Sequence, residues 1–344
     1  MAPWLELPYD IENVSEEEDK LIKKCFLGYT KPFVKCGRKG YVMPGAFRKH
    51  AEEIYNMEVR PDDIWVITFP RSGTTWSQEL VWLLQNNLDY KASMAKPLYE
   101  RFPMLETTSQ IPEIAFELIK INFMNLGDFQ GLRSAAQCPS WKTIQNAPSP
   151  RFIKTHLPLS MLPPNLLNTA KVIYVARDPR DVAVSNYYLH KMIIKNLMKI
   201  NFQTFWEAFR KDLLPYTPIV AHTEEAWLQR NHPNIYFTFY EDLHKDLCAE
   251  THKISRFLGN NYSDEEISQL ASYLSFDSLK KNKNVNNTNS NAENIQFIRK
   301  GEVGGWQTHF DEKMTVQAEE YLIDRLINSP VTYPSFPLSE TTHL

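Results

Sequence analysis

Four stretches of the chain place cations, hydroxyls and one histidine where they could do chemistry. In TFPRSGTTW (residues 68–76), Arg71, Ser72, Gly73, Thr74 and Thr75 follow an apolar run and precede a segment of helical periodicity. Backbone N–H groups, three hydroxyls and the positive end of the helix can donate there to phosphate oxygens, with Arg71 adding a planar fork. The nucleotide-triphosphatase pattern G-x-x-x-x-G-K-[ST] is absent: the loop has one glycine and its cation comes first. In KTHLPL, Lys154 and His156 stand two residues apart, so an extended chain turns both to one face. A base and a cation side by side would suit proton transfer and charge stabilisation; two exposed loop side chains are the plainer reading. In VARDPRDVAVS, Arg177 and Ser185 could jointly hold a second phosphate, although an Arg–Asp surface pair is the commoner arrangement at such spacing. In FIRKGEVGGW, Arg299 and Lys300 precede Gly301 and could clamp an anion. Tyr240 either borders a base or packs in the core.

Apart from Arg299, Lys300 and Gly301, which come much later, these residues fall at or just beyond the ends of the clearest strands: Ile64–Phe69, Arg151–Thr155, Lys171–Ala176 and Asn234–Phe239. Trp76, Leu80, Leu83 and Leu84 give the segment after the first strand one buried helical face. Asp178-Pro179 reads as the N-cap and first residue of another helix. Residues 203–230 and 264–273 also read as helical. Strands alternating with helices predict an α/β fold, with a central parallel sheet flanked by helices and a P-loop-like anion loop. Ligands of such sheets gather at the carboxyl ends of the strands, where all these residues except 299–301 lie. About 80 residues separate the first two strands. They contain IPEIAFELIKINFMNL, either an extra core helix or a lid over an apolar pocket, so a single domain spanning 1–344 with a covering segment near 100–150 is expected.

Composition narrows the classes. The 344 residues are 43% apolar and 23% charged with a net charge of −3, so no overall basic field points to nucleic acid. The N-terminus is acidic and lacks the apolar core of a signal peptide, and no run approaches the roughly 18 apolar residues of a membrane span. Cys25, Cys36, Cys138 and Cys248 form no CxxC pair and read as reduced thiols, which suits a cytoplasmic protein. Without a secretory signal, the sequons at Asn13, Asn261 and Asn286 read as chance matches. There is no H-E-x-x-H, no EF-hand loop and no Asp pair placed for nucleotide-bound magnesium, so no metal is expected. The Asn-rich stretch 282–294 reads as a solvated loop, or as one that orders on a ligand.

Taken together, TFPRSGTTW, KTHLPL, VARDPRDVAVSNYY, FYEDL, LSF and RKGEVGGW resemble, in order and spacing, the cytosolic sulfotransferases over about residues 30–330. The likeness is to the arthropod-type branch that includes retinol dehydratase. It implies sulfuryl transfer from 3'-phosphoadenylyl sulfate (PAPS), as co-substrate, to the hydroxyl of a small apolar alcohol or phenol. It further implies that Arg71, Ser72, Gly73, Thr74 and Thr75 hold the 5'-phosphosulfate. Trp76 would stack on adenine near Tyr240, Leu274 and Phe276, and Arg177, Ser185, Arg299, Lys300 and Gly301 would hold the 3'-phosphate. His156 would be the general base, with Lys154 and Arg71 meeting charge on the leaving phosphate. The chain departs from the family pattern in four places. Arg71 stands where Lys is usual, Gly304-Gly305-Trp306 where GDW is common, and Leu274 where a Thr would add a hydroxyl. Asp311 replaces the Lys of the dimer motif, which leaves a homodimer open. A dehydratase that eliminates a transient sulfate ester is the second reading. Lys154 and His156 weigh against a non-catalytic carrier, and the missing G-K-[ST] against a kinase.

Overall fold

The computed structural model describes residues 4–120, 134, 135, 137–194, 201–282, 284, 285 and 301–337. Near the N-terminus β1 (Ile11–Asn13), β2 (Val34–Cys36) and β3 (Tyr41–Met43) form a small antiparallel sheet. Sequence reading did not foresee it, since three-residue strands are too short to display a period of two. The main sheet holds β4 (Ile64–Thr68), β5 (Phe152–Thr155), β6 (Lys171–Ala176) and β7 (Ile235–Phe239), in the order β5-β4-β6-β7 and parallel throughout. Each lies within a residue or two of its expected span.

A continuous β-branched and aromatic run suits a central strand covered on both faces, and every residue of β4 is buried. Its alternate side chains serve two cores. Ile64 and Val66 join Ile173 and Val175 under the helices Thr74–Gln85, Leu247–Leu258 and Asp264–Tyr273. Trp65 and Ile67 join Val172 and Tyr174 under Phe202–Arg210 and Glu312–Leu326. Fully burying one such aliphatic side chain contributes roughly 1.5–3 kcal/mol, so the sheet is a stiff platform. Its amino ends are clamped by the buried Arg151 Nε, which donates to Asp63 Oδ1 at 2.7 Å. From β4 the chain steps to β5 on one side, then crosses to β6 on the other. This reversal opens a crevice at the carboxyl ends.

Two expectations change in detail. The single helix expected over 203–230 is two helices, Phe202–Arg210 and Ile219–Leu228. Pro215 and Pro218 cannot sit inside a helix without losing its hydrogen bonds, and Tyr216 between them has φ +73°. The long segment between β4 and β5 carries the short helices Leu98–Arg101, Thr107–Gln110, Glu113–Lys120 and Ser140–Gln145. It supplies core as well as surface: Phe102, Leu105 and Ile144 are buried, while Ile114 is 52% exposed.

Candidate active site

β4 delivers the chain into a loop whose backbone is bent twice through the left-handed region, at Arg71 (φ +72°) and Gly73 (φ +94°). Gly73 is required for a second reason: a Cβ there would lie 2.7 Å from Cδ2 of Tyr240. The twelve-residue helix Thr74–Gln85 starts at once and aims its unpaired N–H groups into the crevice. The loop's hydroxyls differ from one another. Ser72 Oγ is buried without a partner. Thr74 Oγ1 lies 2.7 Å from Thr68 Oγ1; when it accepts there, its own proton stays available, and Thr74 lines the cavity. Thr75 lines the cavity with Arg71 and Gly73.

Arg177, just past β6, gathers three neighbours. Nη1 donates to the Arg71 carbonyl at 3.1 Å, Nη2 donates to the Glu302 carbonyl at 2.8 Å, and the guanidinium lies 4.1 Å from the Tyr240 ring centroid. Its Nε is buried and unpartnered. Arg71 Nε donates to Ser185 Oγ at 2.9 Å. The two anion sites expected as separate are thus joined through Arg71. Arg299 and Lys300 lie outside the described residues, but Gly301 is placed beside Arg177 and Tyr240: its carbonyl accepts from Tyr240 Oη at 2.9 Å. Gly301 has φ +69°, and a Cβ on it would meet Phe276 Cδ2 at 2.3 Å. Trp76 stands edge-on to Tyr240 at 5.6 Å between centroids. Trp76, Tyr240, Phe276 and the buried Leu274 all line the same cavity, as an aromatic slot for a flat base requires.

Asp181, in the first turn of the helix Pro179–Ile194, holds this corner together. Its carboxylate accepts from the Gly304 N–H at 2.8 Å and the Trp306 N–H at 2.9 Å. Asp178 caps the same helix as expected, accepting from the Arg180 N–H at 2.8 Å. No periodicity or motif could have shown that Asp181 reaches a loop more than 120 residues away.

Lys154 is the next-to-last residue of β5 and His156 stands just past its end; both line the cavity, as two residues spaced by one on an extended chain can. His156 Nδ1 lies 2.8 Å from the Thr68 carbonyl. A carbonyl only accepts, so Nδ1 carries the proton and Nε2 is left as the basic nitrogen. Burial, then the charge of Lys154, holds the imidazole well below its ordinary pKa, keeping it neutral. Burial, opposed by the Glu106 carboxylate and helped by the charge of Arg71, brings Lys154 down to about 8. His156 is also held through its backbone. Its N–H donates to Glu106 Oε1 at 2.8 Å, and its carbonyl accepts from His222 Nε2 at 2.9 Å. Glu106 and His222 escaped sequence reading, having no spacing that ties them to the KTH motif.

Around these groups lies one cavity of about 690 Å³. One end is the cationic and aromatic corner. The other is apolar, with Phe26, Tyr29, Met104, Pro112, Val184 and Leu189. Phe26 and Tyr29 come from the chain between β1 and β2. Tyr29 Oη donates to the Gln110 carbonyl at 2.7 Å, and Thr30 N–H donates to Glu113 Oε2 at 2.9 Å, tying this stretch to the segment between β4 and β5. An unpaired buried donor costs about 1–3 kcal/mol, so Arg177 Nε, on a side chain that lines the cavity, favours a ligand that offers it an acceptor. A nucleotide with a phosphate at each end of its ribose fits that demand. Among the described residues, no group of three or more His, Cys, Asp or Glu side chains could hold a metal ion, and no helix is long and apolar enough to cross a membrane.

The sulfotransferase domain family matches residues 61–329. A luciferin sulfotransferase from Photinus pyralis is 31% identical over 325 residues, covering 90% of this chain and 84% of the relative. Sulfotransferase 1E1 from Bos taurus is 30% identical over 289 residues, covering 80% and 90%. Retinol dehydratase in complex with androsterone and the inactive cofactor PAP has a TM-score of 0.88 at 38% identity. The same enzyme with retinol and PAP has 0.87 at 39%; each covers 96% of this chain and 100% of the other.

Proposed function

We propose that this chain, which belongs to the sulfotransferase family and is PAPS-dependent, transfers the sulfuryl group to the hydroxyl of a small apolar alcohol or phenol. The observation that carries this reading is the single cavity in which a neutral, Nδ1-protonated His156 stands between a cationic, aromatic corner and an apolar wall. When bound, PAPS supplies the sulfuryl group and a bisphosphate leaving group. Ser72, Gly73, Thr75 and the helix N-terminus would hold its 5' end, and Arg177 with Ser185, Gly301, Arg299 and Lys300 its 3'-phosphate. The slot of Trp76, Tyr240, Leu274 and Phe276 would hold adenine. Arg71 and Thr74 would join the residues that hold the 5' end; in that arrangement His156 Nε2 takes the proton of the acceptor hydroxyl, while Lys154 and Arg71 meet negative charge as it grows on the departing phosphate.

The chain would act as one domain over 1–344. The part of segment 100–150 that carries Met104, Gln110 and Pro112 would cover the acceptor. Four free cysteines support a cytoplasmic setting. The likeness to retinol dehydratase supports a second outcome at the same site, elimination of the sulfate ester. Incubating purified protein with PAPS and a panel of phenols, steroids and retinoids, then weighing products by mass spectrometry, separates the two. A product heavier by one sulfuryl group means transfer, one lighter by water means elimination, and no product with any of them rejects both.

A further inference from the structure

We propose that Glu106 is a positioning residue for His156, coupling the segment that walls the acceptor pocket to the base. The inference rests on reading His156 as the base. Glu106 is 1% exposed; among the described residues no cation contacts its carboxylate directly, and Lys154 acts on it only through space. All three hydrogen bonds it accepts come from groups that fix the His156 backbone or border its ring. Oε1 accepts from the His156 N–H at 2.8 Å and from Tyr216 Oη at 3.1 Å; Oε2 accepts from Thr155 Oγ1 at 2.8 Å. Thr155 Oγ1 in turn accepts from the Leu157 N–H at 3.1 Å. One carboxylate therefore spans residues 155–157. The Tyr216 ring stands 5.5 Å from the imidazole, nearly edge-on, and lines the cavity.

The carboxylate sits where the covering segment is sewn to the sheet. Lys154 N–H donates to the Pro103 carbonyl at 2.9 Å, and Leu105 N–H donates to the Lys154 carbonyl at 2.8 Å, so residues 103–105 extend the sheet beyond β5. Met104 in this stretch and Gln110 and Pro112 just after it line the cavity. An acceptor pressing on that wall thus bears on the same short segment that holds the base. Burial pushes the Glu106 carboxyl above its usual range, and Lys154 is a cation near enough to act on it through space. A purely structural contact could be made by a neutral amide, whereas a carboxylate offers acceptors on both oxygens to three donors at once.

Glu106→Gln keeps the volume but turns one acceptor into a donor facing these donors. With whichever phenol, steroid or retinoid gives the highest wild-type turnover, single-turnover rates are measured for Glu106→Gln, His156→Ala and the double variant, with affinity for adenosine 3',5'-bisphosphate on each. The expected result is a loss of about 10–100-fold in kcat for Glu106→Gln, bisphosphate affinity unchanged within about twofold, and little further loss when His156 is already gone. The same factor lost with and without His156 would overturn the inference while leaving the base reading intact. Turnover retained in His156→Ala would overturn both. Should Glu106→Gln fail to fold, Tyr216→Phe and Thr155→Val each remove one arm of the network, and the same cycle with His156→Ala decides between these outcomes.

Discussion

Arg71 Nε donates to Ser185 Oγ at 2.9 Å, from the loop after β4 to the helix Pro179–Ile194 after the neighbouring β6. Since Arg177 also grips the Arg71 carbonyl, the two halves of the proposed nucleotide site share one hydrogen-bonded frame. Arg177→Ala should weaken binding of adenosine 3',5'-bisphosphate by about 10–150-fold, the equivalent of one charge-assisted bond at roughly 1.5–3 kcal/mol. Ser185→Ala removes a neutral hydroxyl and should cost only about 2–12-fold, from roughly 0.5–1.5 kcal/mol. Calorimetry on both variants checks the ranking, and unchanged affinity in Arg177→Ala would remove the 3'-phosphate assignment.

The parallel sheet and the residues past its strand ends were legible because both signals are local. Ile64–Ile67 is an unbroken apolar run, and Lys154 and His156 are two residues apart on one extended stretch. Glu106, His222 and Asp181 act across the fold, and nothing in the sequence announces such partners. Phe26 and Tyr29 line the acceptor end from a stretch without regular structure, which carries no periodicity to read.

Bisphosphate affinity should fall as pH rises through about 8. Burial lowers Lys154 to about that value, so above it the free protein loses the charge that an anionic ligand needs. The affinity should drop by about tenfold per pH unit at most, as expected for one linked proton. Calorimetry between pH 6.5 and 9.5 should show this fall in the wild type and a flatter curve in Lys154→Gln; parallel curves would mean that Lys154 does not face the phosphate.

Turnover should persist in excess chelator. Lys154, Arg71 and Arg177 supply positive charge at the cavity from side chains, the role that a divalent ion plays in many phosphoryl-transfer enzymes. Loss of activity in chelator, restored by added magnesium, would contradict this division of labour.

Met104→Ala should raise the acceptor KM several-fold and leave bisphosphate affinity alone, because Met104 lines the cavity from the covering segment. Shortening the whole of 100–150 is a poorer test. That segment buries Phe102, Leu105 and Ile144, and truncating such side chains alone costs about 2–5 kcal/mol each. Equal changes in acceptor KM and bisphosphate affinity would show that Met104 acts on the site as a whole.

His156→Ala should lower kcat by about 10²-fold or more with bisphosphate affinity nearly unchanged. The Thr68 carbonyl fixes the proton on Nδ1, and the depressed pKa keeps the ring neutral. The base is therefore in its working form well below pH 6.5, and the acid limb of kcat should show no step at the ordinary histidine value. The same depression has a cost in stability. Burial also lowers His222 to about 4 and His190 to about 3. Below about pH 6.5 the unfolded chain takes up protons on all three rings that the folded chain refuses. The stability they contribute is whole above that pH and is lost as pH falls towards 4, so Tm should drop on acidification. His156→Ala should drop less steeply, having one such ring fewer. A structural role alone predicts instead a lower Tm at pH 7.5 and activity falling in proportion. Measuring kcat, bisphosphate affinity and Tm on the same preparations tells these apart, and a His156→Ala enzyme that keeps more than about half its turnover would falsify the base assignment.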